Sequence, residues 1–143
     1  MTAFGERVGR DRGRPLVLIG LAMPDDGPRG LCVATQHSDY IVYEATTTAV
    51  HQEHIIVHEI SHLLCGHTGA GALGAEQARR LFPHLAPDVV VRALGRDSYS
   101  SEQEQEAELL ASMILQSAYR QGRTSRTGPR PEPGALRRLE AGL

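Results

Sequence analysis

The segment His58-Glu59-Ile60-Ser61-His62 sets two imidazoles four residues apart, with a carboxylate directly after the first. On an α-helix that spacing puts both rings on one face, about 6 Å apart along the axis, so both can reach one ion. At roughly 100° per residue, His51, His54, His58, His62 and Cys65 share one side, while Ile56, Val57, Ile60, Leu63 and Leu64 take the opposite arc. Glu59 falls outside both stripes, beside the metal face, where a carboxylate takes a proton from an activated water and does not bind the ion itself. The pattern implies Zn2+ held by His58 and His62, with Glu59 as general base. A merely solvated histidine-rich face is the plain alternative, and the apolar back with its glycine stop at Gly66 argues against it. His54 and His62 would stand about 12 Å apart along a straight helix, too far for one ion with ligand bonds of about 2 Å. His51 and His54 are therefore read as solvated or as supporting a ligand, and Cys65 as a packing residue.

A catalytic zinc takes three protein ligands plus water, so another His, Glu or Asp must come from a separate element. The run Glu102-Gln103-Glu104-Gln105-Glu106-Ala107-Glu108 supplies carboxylates on one helical segment. By helical periodicity Glu104 and Glu108 share a face with Ala107, Ala111, Leu115 and Ala118, whereas Glu102 and Glu106 point the other way. Small residues at 107 and 111 would let this helix approach the metal helix closely while Glu104 reaches in. A solvated acidic first turn suits Glu102 and Glu106 better than Glu104 and Glu108.

With both motifs in view, the chain resembles the ImmA/IrrE family of metallopeptidases, a branch of the gluzincin-like proteases. The resemblance rests on His58-Glu59-Ile60-Ser61-His62, on Glu104-Gln105-Glu106-Ala107-Glu108-Leu109-Leu110-Ala111, and on a short sheet ahead of the metal helix. The family's second motif runs Glu-x-Glu-Ala-Asn-x-Phe-Ala. The resemblance thus implies Glu104 as third ligand, and Glu108, standing where the family has Asn or Asp, as an acceptor that orients a ligand histidine. Leu110 stands where the family has Phe, and the spacing from His62 to Glu104 is long for it. The resemblance further implies a zincin-like fold and a zinc metallo-endopeptidase activity on a protein or peptide substrate, typically a transcriptional repressor or antitoxin-like regulator. The rival reading is a non-catalytic, zinc-stabilised interaction module of a toxin–antitoxin or signalling pair. An open fourth metal position marks the enzyme, and a fourth protein ligand such as His54 or Cys65 marks the module.

The elements that must position these groups follow from local pattern. Apolar segments at 16–19, 31–35 and 40–45 read as strands, the last two joined by a polar turn at 36–39, which predicts a small antiparallel sheet. A helix over 49–65 is capped by Thr46-Thr47-Thr48 and stopped by Gly66. Short helices are predicted at 75–81 and 87–95, and a longer one at 100–121 opens with a Ser100/Gln103 capping box. Residues 1–14 read as a frayed helix or loop, and 122–143 as a disordered tail, leaving a single domain over 1–121. The expectation is an α+β fold: a small antiparallel sheet packed on a helical core, with the metal between the two motif helices. Strand 40–45 is the edge chosen for backbone pairing with a polypeptide substrate. For a donor to the developing oxyanion, the sequence leaves His67, His84, Tyr99 and Arg92 open.

Composition narrows the partners. A net charge of −2 gives no field that would draw the chain to nucleic acid, although all 15 cationic side chains are Arg. No apolar run approaches the roughly 20 residues needed to span a bilayer, which argues against a membrane partner. Two cysteines, Cys32 and Cys65, are too few for a disulfide framework and are expected to be unbridged, in keeping with a cytoplasmic location.

Overall fold

The computed structural model describes residues 2–23, 25–34, 38–67, 99–121 and 134–142. They form an α+β arrangement: helix α1 (Thr2–Arg12), strands β1 (Leu16–Leu21), β2 (Gly30–Ala34) and β3 (Asp39–Glu44), then helices α2 (Ala49–Leu64), α3 (Ser101–Arg120) and α4 (Ala135–Gly142). The expected helices at 75–81 and 87–95 lie outside the described residues, as do positions 36 and 37 of the expected turn.

The sheet is mixed, in the order β1-β3-β2, and corrects the antiparallel expectation. β2 and β3 do form an antiparallel pair, with Cys32 opposite Ile41, but β1 runs parallel to β3, with Leu18 opposite Ile41. The reason lies in burial and in the length of the first connection. Tyr40, Ile41, Val42 and Tyr43 are all at most 3% exposed, so the strand apolar on both faces takes the centre. The eight residues between Leu21 and Gly30 are long enough to step past it. Strand 40–45 is therefore not an edge, and the expectation that it pairs with substrate is overturned because β1 and β2 already occupy both its sides. Among the described residues β1 and β2 are both edge strands, each paired only with β3.

One face of the sheet, through Leu18, Cys32, Ile41 and Tyr43, joins Ile55, Ile56, Ile60 and Leu63 of α2 and Val8 of α1 in the core. Of the predicted apolar back of α2, Leu64 is exposed and Ile55 takes its place in the core. Residues 2–12 are a helix, not a loop, and their glycines explain why: a methyl on Gly9 would meet Arg14 O at 2.9 Å and Leu16 N at 3.0 Å. The residues that suggested a break instead let the helix lie close against β1. Arg12 then ties three elements together, pairing with buried Asp39 at 3.0 Å and donating to Leu63 O at 3.2 Å. The tail expected to be disordered carries α4, which packs on β1 and buries Leu139 completely.

Candidate metal centre

Helix α2 is held at both ends by residues that act through the backbone. Thr48 accepts from His51 N at 3.3 Å as N-cap. At the far end Gly66 adopts φ +70°, with Gly66 N donating to Leu63 O at 3.1 Å and His67 N to His62 O at 3.0 Å. This pair of bonds is a Schellman motif, and it folds residue 67 back over residue 62. Helix α3 starts with the expected capping box: Ser100 N donates to Gln103 Oε1 at 3.0 Å and Gln103 N to Ser100 Oγ at 3.2 Å. It packs on α2 with Ala107 and Ala111 fully buried, which brings Glu104 within reach of the α2 imidazoles.

Three donors converge there. His58 Nε2 and His62 Nε2 lie 3.2 Å apart, and Glu104 places Oε2 3.2 Å from His58 Nε2 and Oε1 3.6 Å from His62 Nε2. Tetrahedral ligands with bonds of about 2.0–2.1 Å stand about 3.3 Å from one another, so this nitrogen–nitrogen–oxygen set fits a zinc-sized ion. Among the described residues no fourth ligand joins it. His54 lies with Nε2 3.4 Å from Glu108 Oε2, and His51 has Nδ1 3.0 Å from Thr47 Oγ1 at the exposed start of the helix.

Both imidazoles are gripped at their other nitrogen. Glu108 Oε2 lies 3.2 Å from His58 Nδ1. His62 Nδ1 meets His67 Nδ1 at 2.9 Å, and His67 Nε2 meets Glu106 Oε2 at 3.0 Å. Tyr99 stacks flat on His62, with centroids 3.5 Å apart and planes 10° from parallel. Burial, then the neighbouring His58 and His67, push the His62 pKa down to about 4, which keeps its ring neutral and a lone pair available.

Glu59 lines the same cleft, about 350 Å³ in volume, together with Gly30, His54, Tyr99 and Glu108. It is buried, and burial followed by the nearby Glu104 carboxylate push its pKa up to about 8. A dication at the three donors would act in the opposite sense, favouring the carboxylate. Burial likewise raises the Tyr99 hydroxyl above the ordinary tyrosine range, so it stays protonated and able to donate.

Glu106 does not point away from the site as helical periodicity suggested; the Gly66 turn carries His67 out to meet it. Cys65, expected to pack, is partly exposed, and its Sγ lies within 4.8 Å of the nearest donor atoms of His67 and Glu106. Both cysteines are free. Of the four oxyanion candidates, Tyr99 lines the cleft, His67 is engaged behind His62, and His84 and Arg92 lie outside the described residues. Sequence reading missed Gly30, and it named His67 only as an oxyanion candidate, not as the partner of His62. A signal for His67 existed: a Schellman stop at Gly66 puts residue 67 beside residue 62, and both are histidines. Among the described residues no helix is long and apolar enough to cross a membrane. Comparison of the chain with protein-family models, curated proteins and solved structures finds no match.

Proposed function

We propose that this chain is a zinc-dependent metallo-endopeptidase of the ImmA/IrrE type, with His58, His62 and Glu104 as metal ligands and Glu59 as general base. The observation that carries the reading is the convergence of those three donors in a cleft that Glu59 also lines. Zinc bound there would polarise a peptide carbonyl and lower the pKa of a water toward about 7. Glu59 then accepts the water proton on its carboxylate and returns it to the leaving amine nitrogen. Its burial beside Gly30 keeps the carboxylate close to the cleft floor and away from bulk solvent. Glu108 accepts from His58 Nδ1–H, which leaves His58 Nε2 free to ligate. Of the candidate oxyanion donors, Tyr99 is the described one that lines the cleft. An extended substrate pairs with the free edge of β2, whose first residue, Gly30, lines the cleft.

The zincin-like fold and a substrate that is a transcriptional regulator are carried by the resemblance alone. DNA recognition would belong to that regulator, given the chain's net charge of −2. A fourth protein ligand would favour the interaction-module reading, and among the described residues neither His54 nor Cys65 joins the three donors. Metal analysis tests the proposal: wild type should hold about one zinc per chain, Glu104→Ala should hold it far less tightly, and Glu102→Ala should match wild type. No zinc in the wild type after supplementation, or equal effects of the two substitutions, would refute it.

A further inference from the structure

The groups behind His62 can be protonated in only one consistent way once His62 serves as a ligand. With its Nε2 lone pair on the metal, His62 carries its proton on Nδ1, and that nitrogen is 2.9 Å from His67 Nδ1. His67 must then accept at Nδ1, so its own proton sits on Nε2, which lies 3.0 Å from Glu106 Oε2. Each donor finds an acceptor and no lone pairs face one another. The His67 side chain is 6% exposed, which shields its contact with His62, while the Glu106 side chain at 64% lies in solvent at the outer end. We propose that His67 and Glu106 are positioning residues for the metal centre: a carboxylate–imidazole–imidazole chain that fixes the tautomer and orientation of His62.

This inference rests on the metal reading above. It also decides between two uses of the same atoms, since Cys65, His67 and Glu106 could themselves gather a soft divalent ion. An ion on His67 Nε2 would move that ring's proton to Nδ1, facing His62 Nδ1. His62 would then keep its proton on Nε2, where it opposes binding at His58 and Glu104. The chain and the second ion are therefore alternatives.

The test is zinc affinity of the full chain, measured with zinc alone against a competing chelator, for wild type, His67→Phe, His67→Gln, Glu106→Gln and Glu102→Gln. His67→Phe and Glu106→Gln should weaken binding by about 10- to 100-fold. Glu102→Gln should match wild type. His67→Gln should keep most of the affinity, because an amide accepts with its oxygen and donates with its nitrogen as the ring does. In zinc-loaded, 15N-labelled wild type the His62 Nδ1 proton should be visible and protected from exchange, and His67→Phe should abolish that protection. If His67→Phe failed to fold, Glu106→Gln at the exposed end of the chain would decide. Wild-type affinity in both variants would overturn the inference while leaving the metal site standing. Two ions per wild-type chain, with only the second lost in His67→Phe, would overturn it in favour of a Cys65–His67–Glu106 site. A wild type that binds no zinc at all would refute the metal reading itself and this inference with it.

Discussion

Gly30 faces Glu59 so closely across the cleft that a methyl group on Gly30 would sit 2.7 Å from Glu59 Oε1 and 2.7 Å from Ile55 Cγ2. The start of β2 and the proposed general base thus share one small space, and glycine is the residue that leaves it to the carboxylate. Gly30→Ala should displace Glu59 without touching a ligand. Peptide cleavage is expected to fall by about 10- to 100-fold, a loss typical of a reacting group moved by about 1 Å. Zinc content should stay at the wild-type level. Unchanged cleavage, measured beside metal analysis, would show that the Glu59 position does not depend on this contact.

Glu44 governs how the sheet hands the chain on to α2. Its buried carboxylate accepts from Met23 N at 2.9 Å and from Thr46 N and Oγ1, both at 2.7 Å, with Arg29 3.5 Å away. Burial pushes its pKa up, but the Thr46 hydroxyl and N–H, the Met23 N–H and the Arg29 charge outweigh it and hold the carboxyl below the ordinary glutamate value. The folded value being depressed, the stabilisation is fully present above the unfolded pKa of about 4.3 and is lost as pH falls through the folded pKa. Glu44→Gln should cost about 2 kcal/mol at pH 7. Denaturant titrations should show the gap between wild type and variant closing as pH drops below about 4. A gap independent of pH would contradict the assignment.

The C-terminal helix makes a separate claim on stability. Leu139 is fully buried although it follows a segment rich in Gly, Pro and Arg. Leu139→Ala should cost about 2–4 kcal/mol, seen as a lower Tm, while Arg137→Ala on the exposed side should leave Tm unchanged. Zinc content should be the same in both. A Tm unaffected by Leu139→Ala would show that α4 contributes nothing to the fold.

What could be read in the sequence was local, and what could not was set by packing. Thr48, Gly66 and the Ser100/Gln103 pair mark helix ends through bonds that close within a few residues, so α2 and the start of α3 were legible. The closeness of Glu104 to His58 and His62 followed from helical spacing together with two small residues, Ala107 and Ala111. The direction of β1 was not legible, because Leu18 pairs directly with Ile41 only by skipping β2, which lies between them in the sequence, and nothing in either segment encodes that choice. Gly9 misled because the absence of a side chain permits both a break and a close approach, and only the position of Leu16 decides between them. Glu106 was assigned to the far face by treating α3 alone, whereas its partner His67 arrives from the turn after α2.

The central claim is that Glu59 moves a proton and does not hold the metal, and Glu59→Gln addresses it directly by keeping the size of the side chain while removing its basicity. Wild type and variant would be zinc-loaded, analysed for metal, and incubated with a degenerate library of end-blocked peptides read by mass spectrometry. Both should carry about one zinc per chain, and cleavage by the variant should be lower by about 10² or more. Undiminished cleavage by Glu59→Gln, or loss of zinc together with activity, would contradict the account.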